Sequence, residues 1–249
     1  MRAREYDEDR FDRMRRIGWL DVGRLRASRC LVAGAGALGN EAVKCLALAG
    51  VGRIDVADDD SVAMSNLSRC ALFREGDVGR GKAEALASRA SEAFPWAEVA
   101  PIESRVQDIA DWGYGAVLGC LDNVSARLCA NSCAACAGVP YVDGATDGLR
   151  GKVQVYLPGG PCIECAMNDS HLRIADARFS CAGGGVPFAP KAAAEITTTS
   201  VVAAMQAREA MKILSGRRDL CVRGVSYYDG EAGTMETLGL QISRGCPNH

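Results

Sequence analysis

Short apolar runs alternate with longer amphipathic segments along the first half of the chain. The runs have the length and composition of strands, and they are Cys30–Gly34, Arg53–Asp58, EVAPIES and AVLGCLD. The longer segments have helical spacing, and they are Leu38–Ala49, Gly81–Phe94 and Asn123–Ala137. Gly50 and Pro95 stand where helix-ending residues are expected. This alternation predicts a parallel sheet with helices on both faces.

The second half of the chain has a different pattern. Lys152–Pro158 alternates as a strand does, and VSYYD and METLGLQIS predict antiparallel strands. Between them, Ala166–Ala194 has the composition of a loop. Thr198–Ser215 predicts a helix so apolar that we expect it buried in the core or in a subunit interface. Arg4–Leu25 predicts one or two short helices.

Composition narrows the class of protein. The 249 residues are 48% hydrophobic with a net charge of -2, so the chain can bury a core and has no strong field for nucleic acid or a membrane surface. The charged N-terminus has no apolar signal segment, and no apolar run is long enough to cross a bilayer. We therefore expect a cytoplasmic protein whose twelve cysteines are reduced. With only two histidines, histidine-driven acid–base catalysis is disfavoured.

The motif GAGALG, Gly34–Gly39, follows a predicted strand and precedes a predicted helix. Gly34, Gly36 and Gly39 would let a phosphate approach the backbone and the helix N-terminus. Asp58, at the end of the next strand, stands where a ribose hydroxyl would be held. The motif alone fits NAD, FAD or ATP, and it also fits a tight turn that binds nothing.

Further polar residues narrow the choice. DDDSVAMSNLSR (Asp58–Arg69) is followed by Lys82 in DVGRGK and by a DNxxxRxxxN pattern over Asp122–Asn131. With these motifs, nearly the whole chain from Arg10 resembles the ubiquitin-activating enzyme superfamily, including the bacterial ThiF/MoeB adenylyltransferases. The run from Tyr141 to CIEC is similar to eukaryotic activating enzymes, without their large cysteine domain or ubiquitin-fold domain. Such an enzyme needs cations to neutralise phosphate charge and a carboxylate to hold magnesium.

The resemblance implies a single adenylation domain over 1–249, with a Rossmann-like ATP-binding sheet that continues into antiparallel strands. Its parts would be a helical segment (1–28), a nucleotide-binding half (29–150) and a carrier-binding half (151–249) with a crossover loop at about 166–195. Nucleotide ligands would be Asp58, Asp60, Asn66, Arg69, Lys82, Asp122 and Asn123, besides the three glycines. Asp122 would hold magnesium. Arg10 would serve the partner subunit of a homodimer, with Arg13 as its competitor.

The cysteines need a separate explanation. CIEC (Cys162, Cys165) and CPNH (Cys246, His249) are two chelating pairs that can close one tetrahedral zinc site. The family often has CxxC at the second place, so His249 is a departure; the alternative is a frayed tail. Cys133 and Cys136 form another CxxC inside a predicted helix, where core packing is favoured over metal binding.

Cys181 lies in the glycine-rich segment where the family carries the cysteine that accepts the activated carboxyl group; an ordinary loop cysteine is the alternative. The leading hypothesis is adenylation of the C-terminal glycine of a ubiquitin-like protein, then a thioester on Cys181 and transfer to a conjugating enzyme. The first alternative is a ThiF/MoeB-type enzyme that activates a sulfur-carrier protein without an obligatory thioester. Further alternatives are a non-catalytic nucleotide-binding subunit and an NAD-dependent dehydrogenase.

Overall fold

A computed structural model describes residues 9–167 and 193–249. Its centre is one eight-stranded sheet in the order β3-β2-β1-β4-β5-β6-β7-β8. The strands are β1 Arg29–Ala33, β2 Arg53–Ala57, β3 Glu98–Ile102, β4 Ala116–Gly119, β5 Tyr141–Asp147, β6 Arg150–Tyr156, β7 Gly224–Asp229 and β8 Thr234–Gly239. Strands β1 to β5 are parallel, and β6 to β8 continue the sheet antiparallel. The predicted α/β fold class is confirmed.

Helices cover both faces of this sheet. In the described ranges they are α1 Asp12–Arg15, α2 Val22–Arg26, α3 Ala37–Ala49, α4 Lys82–Ala93, α5 Val124–Ala137 and α6 Ile196–Leu214. Gly50 ends α3 with a left-handed φ of 86°, as its place in the sequence predicted. None of the helices that the structure describes is long and apolar enough to span a bilayer.

Alternate residues of each strand divide the core in two. Cys30 and Val32 of β1 belong to the larger cluster, with α3, α4 and α6, while Leu31 and Ala33 belong to a smaller cluster under α5. Helix α6 packs on α3 and on β4 to β6, so its apolar face is accounted for by the core of this chain. The smaller cluster includes Cys162, Ile163 and Cys246, which ties the C-terminal tail to the face covered by α5.

Strand β5 was not among the predicted elements. Its sequence, YVDGATD, carries two carboxylates and a glycine, which are features of turns. Asp143 is nevertheless fully buried, because its carboxylate accepts hydrogen bonds from the Arg127 guanidinium on α5. Gly144 is required because a Cβ there would lie 2.2 Å from the Gln206 side chain of α6.

Candidate active site and metal centre

The glycine turn lies where the strand order reverses, at the carboxyl ends of β1 and β4. Gly34 has a φ of 102°, and a Cβ there would lie 2.4 Å from the carbonyl oxygen of Cys120. A Cβ on Gly39 would lie 1.9 Å from the carbonyl oxygen of Gly34. These two glycines are therefore required by the packing of the turn itself.

Gly36 differs from its neighbours. It is the N-cap of α3, its backbone is extended, and a Cβ there would meet nothing within 4 Å. Packing in the described part of the chain does not explain this glycine. Open space at a helix N-terminus, where backbone N–H groups lack intrahelical acceptors, suits an anionic ligand.

Asp58 extends from the end of β2 beside this turn. One carboxylate oxygen accepts a hydrogen bond from the Ala35 N–H at 2.7 Å, and the other accepts one from the Asp60 N–H at 2.9 Å. Burial raises the pKa of Asp58 above its usual value, although these hydrogen bonds and Lys82 oppose the shift. The carboxylate is thus fixed against the backbone of the glycine turn.

Lys82, the first residue of α4, brings a cation to the same place. Its ammonium lies 2.6 Å from an Asp60 carboxylate oxygen. Partial burial lowers the pKa of Lys82, but the hydrogen bond to Asp60 and the charges of Asp58, Asp60 and Asp122 outweigh it, so the pKa is raised. The ammonium therefore stays protonated among three carboxylates, an arrangement suited to a bound polyphosphate and its metal ion.

Asp122 and Asn123 follow β4 at the same edge of the sheet. Asp122 is exposed, so its carboxylate is accessible to a ligand. The Asn123 side chain accepts a hydrogen bond from the Ala126 N–H at 2.7 Å and caps α5. The Asn123 oxygen therefore already has a structural role, and its amide nitrogen has no partner in the described residues and could donate to a nucleotide.

Asn66 and Arg69 lie on the segment between β2 and α4. Asn66 accepts a hydrogen bond from the Ala63 N–H at 2.9 Å, and the Arg69 guanidinium donates to the Ser65 carbonyl at 2.7 Å. Both bonds are local and leave each residue half-buried rather than sealed in the core. Part of the Arg69 guanidinium stays available for a phosphate oxygen.

Arg10 lies far from the glycine turn of its own chain. Its guanidinium stacks over the Trp96 ring, 3.9 Å from the centroid, and the Trp96 indole N–H donates to the Ala47 carbonyl near the end of α3. Because a helix rises about 1.5 Å per residue, Ala47 is about 15 Å from the start of α3. The role predicted for Arg10 therefore requires the turn of a second copy of the chain.

The metal-ligand candidates converge as the two sequence pairs predicted. The ligand atoms of Cys162, Cys165, Cys246 and His249 all lie within 4.8 Å of one another. The Sγ atom of Cys162 is 3.9 Å from that of Cys165 and 3.5 Å from that of Cys246. Three thiols and an imidazole at this spacing form a donor set for tetrahedral zinc.

The surroundings of Cys162 also fit a metal thiolate. Burial opposes ionisation, but the polar groups around the sulfur, Asn131 first and then the Cys165 backbone, Cys246 and His249, outweigh it and lower the pKa of Cys162 to about 7. Asn131 accepts a hydrogen bond from the Ile163 N–H at 3.1 Å and so holds the loop against α5. These residues would hold zinc, which would supply a structural cross-link between the tail and the body.

A sequence model of the ThiF family matches residues 10–248. The chain belongs to the ThiF family. It is 32% identical over 248 residues to the SAMP-activating enzyme E1 of Haloferax volcanii, covering 96% of this chain and 87% of that protein. It is also 32% identical over 230 residues to the molybdopterin-synthase adenylyltransferase of Escherichia coli, covering 89% and 87%. The resemblance stated from the sequence is therefore confirmed.

A solved structure supports the fold. Escherichia coli MccB with ATP superposes with a TM-score of 0.79 at 20% identity, covering 98% of this chain and 74% of that one. At this identity the likeness shows the fold alone. Among the relatives by sequence, the NEDD8-activating enzyme E1 catalytic subunit of Arabidopsis thaliana is 39% identical over 158 residues, covering 56% of this chain and 34% of that protein.

Two other predictions concern cysteines outside the metal centre. The prediction that Cys133 and Cys136 pack in the core is wrong for Cys136, which is exposed, and Cys133 is only half-buried. Cys133 lies instead with its Sγ 4.0 Å from that of Cys129 on the surface of α5. Cys181, the candidate nucleophile, lies outside the described residues.

Sequence reasoning assigned no role to Arg127, Asp143 or Gln206. Arg127 and Asp143 form a buried, bidentate ion pair that joins α5 to β5. Arg127 lies on the helix that follows Asp122 in the chain. The amide of Gln206 on α6 donates to the Gly119 carbonyl at 2.9 Å and to the Val142 carbonyl at 3.1 Å. The DNxxxRxxxN pattern carried the only signal, since its spacing places Arg127 and Asn131 on one helix face.

Proposed function

We propose that this ThiF-family protein uses ATP to adenylate the C-terminal carboxylate of a ubiquitin-like or sulfur-carrier protein. The observation that carries the proposal is the meeting of Lys82, Asp58, Asp60 and Asp122 beside the open Gly36 at the switch point of the sheet. The relatives at 32% identity have names that describe such activation. A hydride-transfer enzyme has no need of this lysine and carboxylate cluster.

The reaction joins two anions, so charge neutralisation dominates its energetics. A carboxylate oxygen of the carrier attacks the α-phosphorus of ATP, and the bond from that phosphorus to the pyrophosphate oxygen breaks. Lys82 and Arg69 would hold the phosphate oxygens as negative charge moves onto the leaving group. Asp58 would hold the ribose. Asp122 would hold magnesium, which supplies further charge stabilisation when bound.

The fate of the acyl adenylate defines two forms of the proposal. In the first, the Cys181 thiolate attacks the carbonyl carbon of the adenylate, AMP leaves, and the thioester passes to a conjugating enzyme. In the second, a sulfur-carrier protein receives sulfur from another enzyme and Cys181 is not required. The adenylyltransferase relatives favour the second form, and the SAMP-activating relative, named an E1, supports the first.

The test is pyrophosphate exchange. Purified protein is incubated with ATP, magnesium, labelled pyrophosphate and a ubiquitin-fold protein that ends in Gly-Gly. We expect label to enter ATP only when that carrier is present, because exchange requires reversible adenylation. We expect Asp122→Ala to abolish exchange and Asp219→Ala, which changes an exposed aspartate paired with Arg217, to leave it unchanged. Exchange that needs no carrier, or that survives in Asp122→Ala, would contradict the proposal.

A gel under non-reducing conditions separates the two forms. If the thioester forms, wild-type protein gains a carrier adduct that thiol reductants remove, and Cys181→Ala lacks the adduct while it retains exchange. If exchange proceeds with no adduct in either protein, the sulfur-carrier form is supported.

A further inference from the structure

Lys152 lies on β6 beside the candidate site, and no role is yet assigned to it. It pairs across the sheet with Ala145 of β5. Ala145 is two residues beyond Asp143, and Asp143 is in register with Gly119 at the end of β4. Adjacent strands are about 4.8 Å apart. Lys152 is therefore about 10 Å to one side of β4, at the edge of the sheet where Asp122 follows.

Where Lys152 lies, the described part of the chain covers its face of the sheet only partly, since Ala145 and Lys152 are both half-buried. Alternation along β5 places Ala145 on the same face as Asp143, which α5 covers. The opposite face is covered by α6, since Cβ atoms on Gly144 and Gly151 would meet Gln206 and Val202. On the far side of Lys152 its cross-strand neighbour is Tyr227, which is 43% exposed.

Lys152 is half-buried, and its ammonium has no ion-pair partner within the described ranges. The carboxylate that acts on its charge is that of Asp143, which is already held by two nitrogen atoms of the Arg127 guanidinium. Burial, reinforced by the charge of Arg127, lowers the pKa of Lys152, although Asp143 opposes the shift. A partly desolvated cation without a partner is unfavourable for the folded chain by itself.

We propose that Lys152 pairs with a carboxylate in the C-terminal tail of the carrier protein and holds the tail along β6 on its way to the glycine turn. This inference rests on the proposed function for the identity of the ligand. The carboxylate has two possible sources, the terminal carboxylate itself and an acidic side chain a few residues before it. In this account Lys152 contacts the carrier tail itself, whereas Lys82 and Arg69 are the groups assigned to the phosphates.

The experiment measures binding without turnover. Dye-labelled heptapeptides that end in Gly-Gly are titrated with protein and followed by fluorescence anisotropy. One peptide has an upstream Glu and a free C-terminus, a second has Gln in place of Glu, and a third keeps Glu but ends in an amide. The proteins are wild type, Lys152→Met, Lys152→Arg and the control Arg217→Met, in which a partly exposed arginine paired with Asp219 is removed.

One of the two control peptides lacks the carboxylate that Lys152 recognises: the Gln peptide lacks the side-chain carboxylate, and the amide peptide lacks the terminal one. We expect wild type to bind the first peptide about tenfold more tightly than that control peptide. A preference over the amide identifies the terminal carboxylate, and a preference over the Gln peptide identifies the side chain. Lys152→Met should lose the preference, Lys152→Arg should keep most of it, and Arg217→Met should match wild type. Equal selectivity in wild type and Lys152→Met would overturn the inference.

Thermal melting separates binding from a structural role. Lys152→Met removes an unpaired, half-buried charge, so we expect its melting temperature to equal or exceed that of wild type. A melting temperature below that of wild type would show that Lys152 stabilises the folded chain, and it would contradict the inference. Failure of carrier-dependent pyrophosphate exchange in wild type would instead contradict the proposed function, because the peptide assay requires no adenylation.

Discussion

Gly36 and Gly39, at the start of α3, should respond in opposite ways to substitution by alanine. In Gly39→Ala, the new Cβ would lie 1.9 Å from the Gly34 carbonyl oxygen, about 1 Å closer than Cβ contacts tolerate. In Gly36→Ala, the new Cβ meets nothing within 4 Å. The first variant therefore tests packing of the turn, and the second tests whether a ligand uses the open space.

The expected stabilities follow from these contacts. The backbone must shift to accept the methyl group of Gly39→Ala, which we expect to lower the free energy of unfolding by about 3 kcal/mol or more. For a chain of this size, that lowers the melting temperature by about 6–12 °C. At Gly36, the loss of a favourable N-cap residue, about 0.5–1 kcal/mol, is offset by a similar gain from the stiffer unfolded chain. The melting temperature of Gly36→Ala should stay within about 3 °C of wild type.

Gly36→Ala, the variant that should keep its stability, is the one that we expect to bind ATP more weakly. The backbone at Gly36 is where a phosphate would approach, so a methyl group there should weaken ATP binding about tenfold or more. Calorimetric titration of magnesium-ATP and a thermal melt of each variant measure both quantities. Gly18→Ala, whose Cβ also meets nothing within 4 Å but which lies near α2, is the control and should change neither. A Gly36→Ala protein that binds ATP as wild type does would refute the reasoning.

Three further predictions concern the other parts of the site. Cys165→Ser should lose bound zinc and melt at a lower temperature, while the exposed-cysteine control Cys136→Ser keeps its zinc; zinc-free wild type by elemental analysis would contradict the metal centre. Arg10→Ala and Lys82→Ala should each lack pyrophosphate exchange. After the two variants are mixed in equal amounts and exchange subunits, half of the dimers would contain one subunit of each and so carry one intact site, which should restore about a quarter of wild-type activity. An inactive mixture would show that Arg10 does not act across subunits. Arg127→Met should lower the melting temperature by about 6 °C or more, because it strands the buried Asp143 carboxylate, and a melt unchanged from wild type would mean that the ion pair contributes little.

The parallel half of the fold was predictable because local signals agree with tertiary packing there. The apolar run at Cys30–Gly34 is buried on both faces, and Gly50 is needed in the left-handed region, so each signal has a single physical explanation. Helix ends were predicted within about two residues, as at Asn123, which is the N-cap of α5. The zinc-ligand candidates were predictable because chelating pairs are visible as short motifs.

What the sequence could not indicate depends on partners distant in the chain. Asp143 has the local character of a turn residue, and only Arg127 on another element makes it a strand residue of the core. The half-buried charge of Lys152 likewise depends on the register between β5 and β6. Arg10 is one of many charged residues near the N-terminus in the sequence, whereas in the structure its guanidinium stacks on Trp96, away from the glycine turn.

Mass spectrometry of the carrier after a single turnover tests the central claim most directly. In Cys181→Ala, where no thioester on that residue can consume the adenylate, ATP, magnesium and a ubiquitin-fold carrier ending in Gly-Gly should give a carrier that is heavier by one adenylyl group, together with released pyrophosphate. A carrier whose terminal carboxylate is converted to an amide should stay unmodified. Release of ADP and phosphate with no adenylylated carrier would contradict the account.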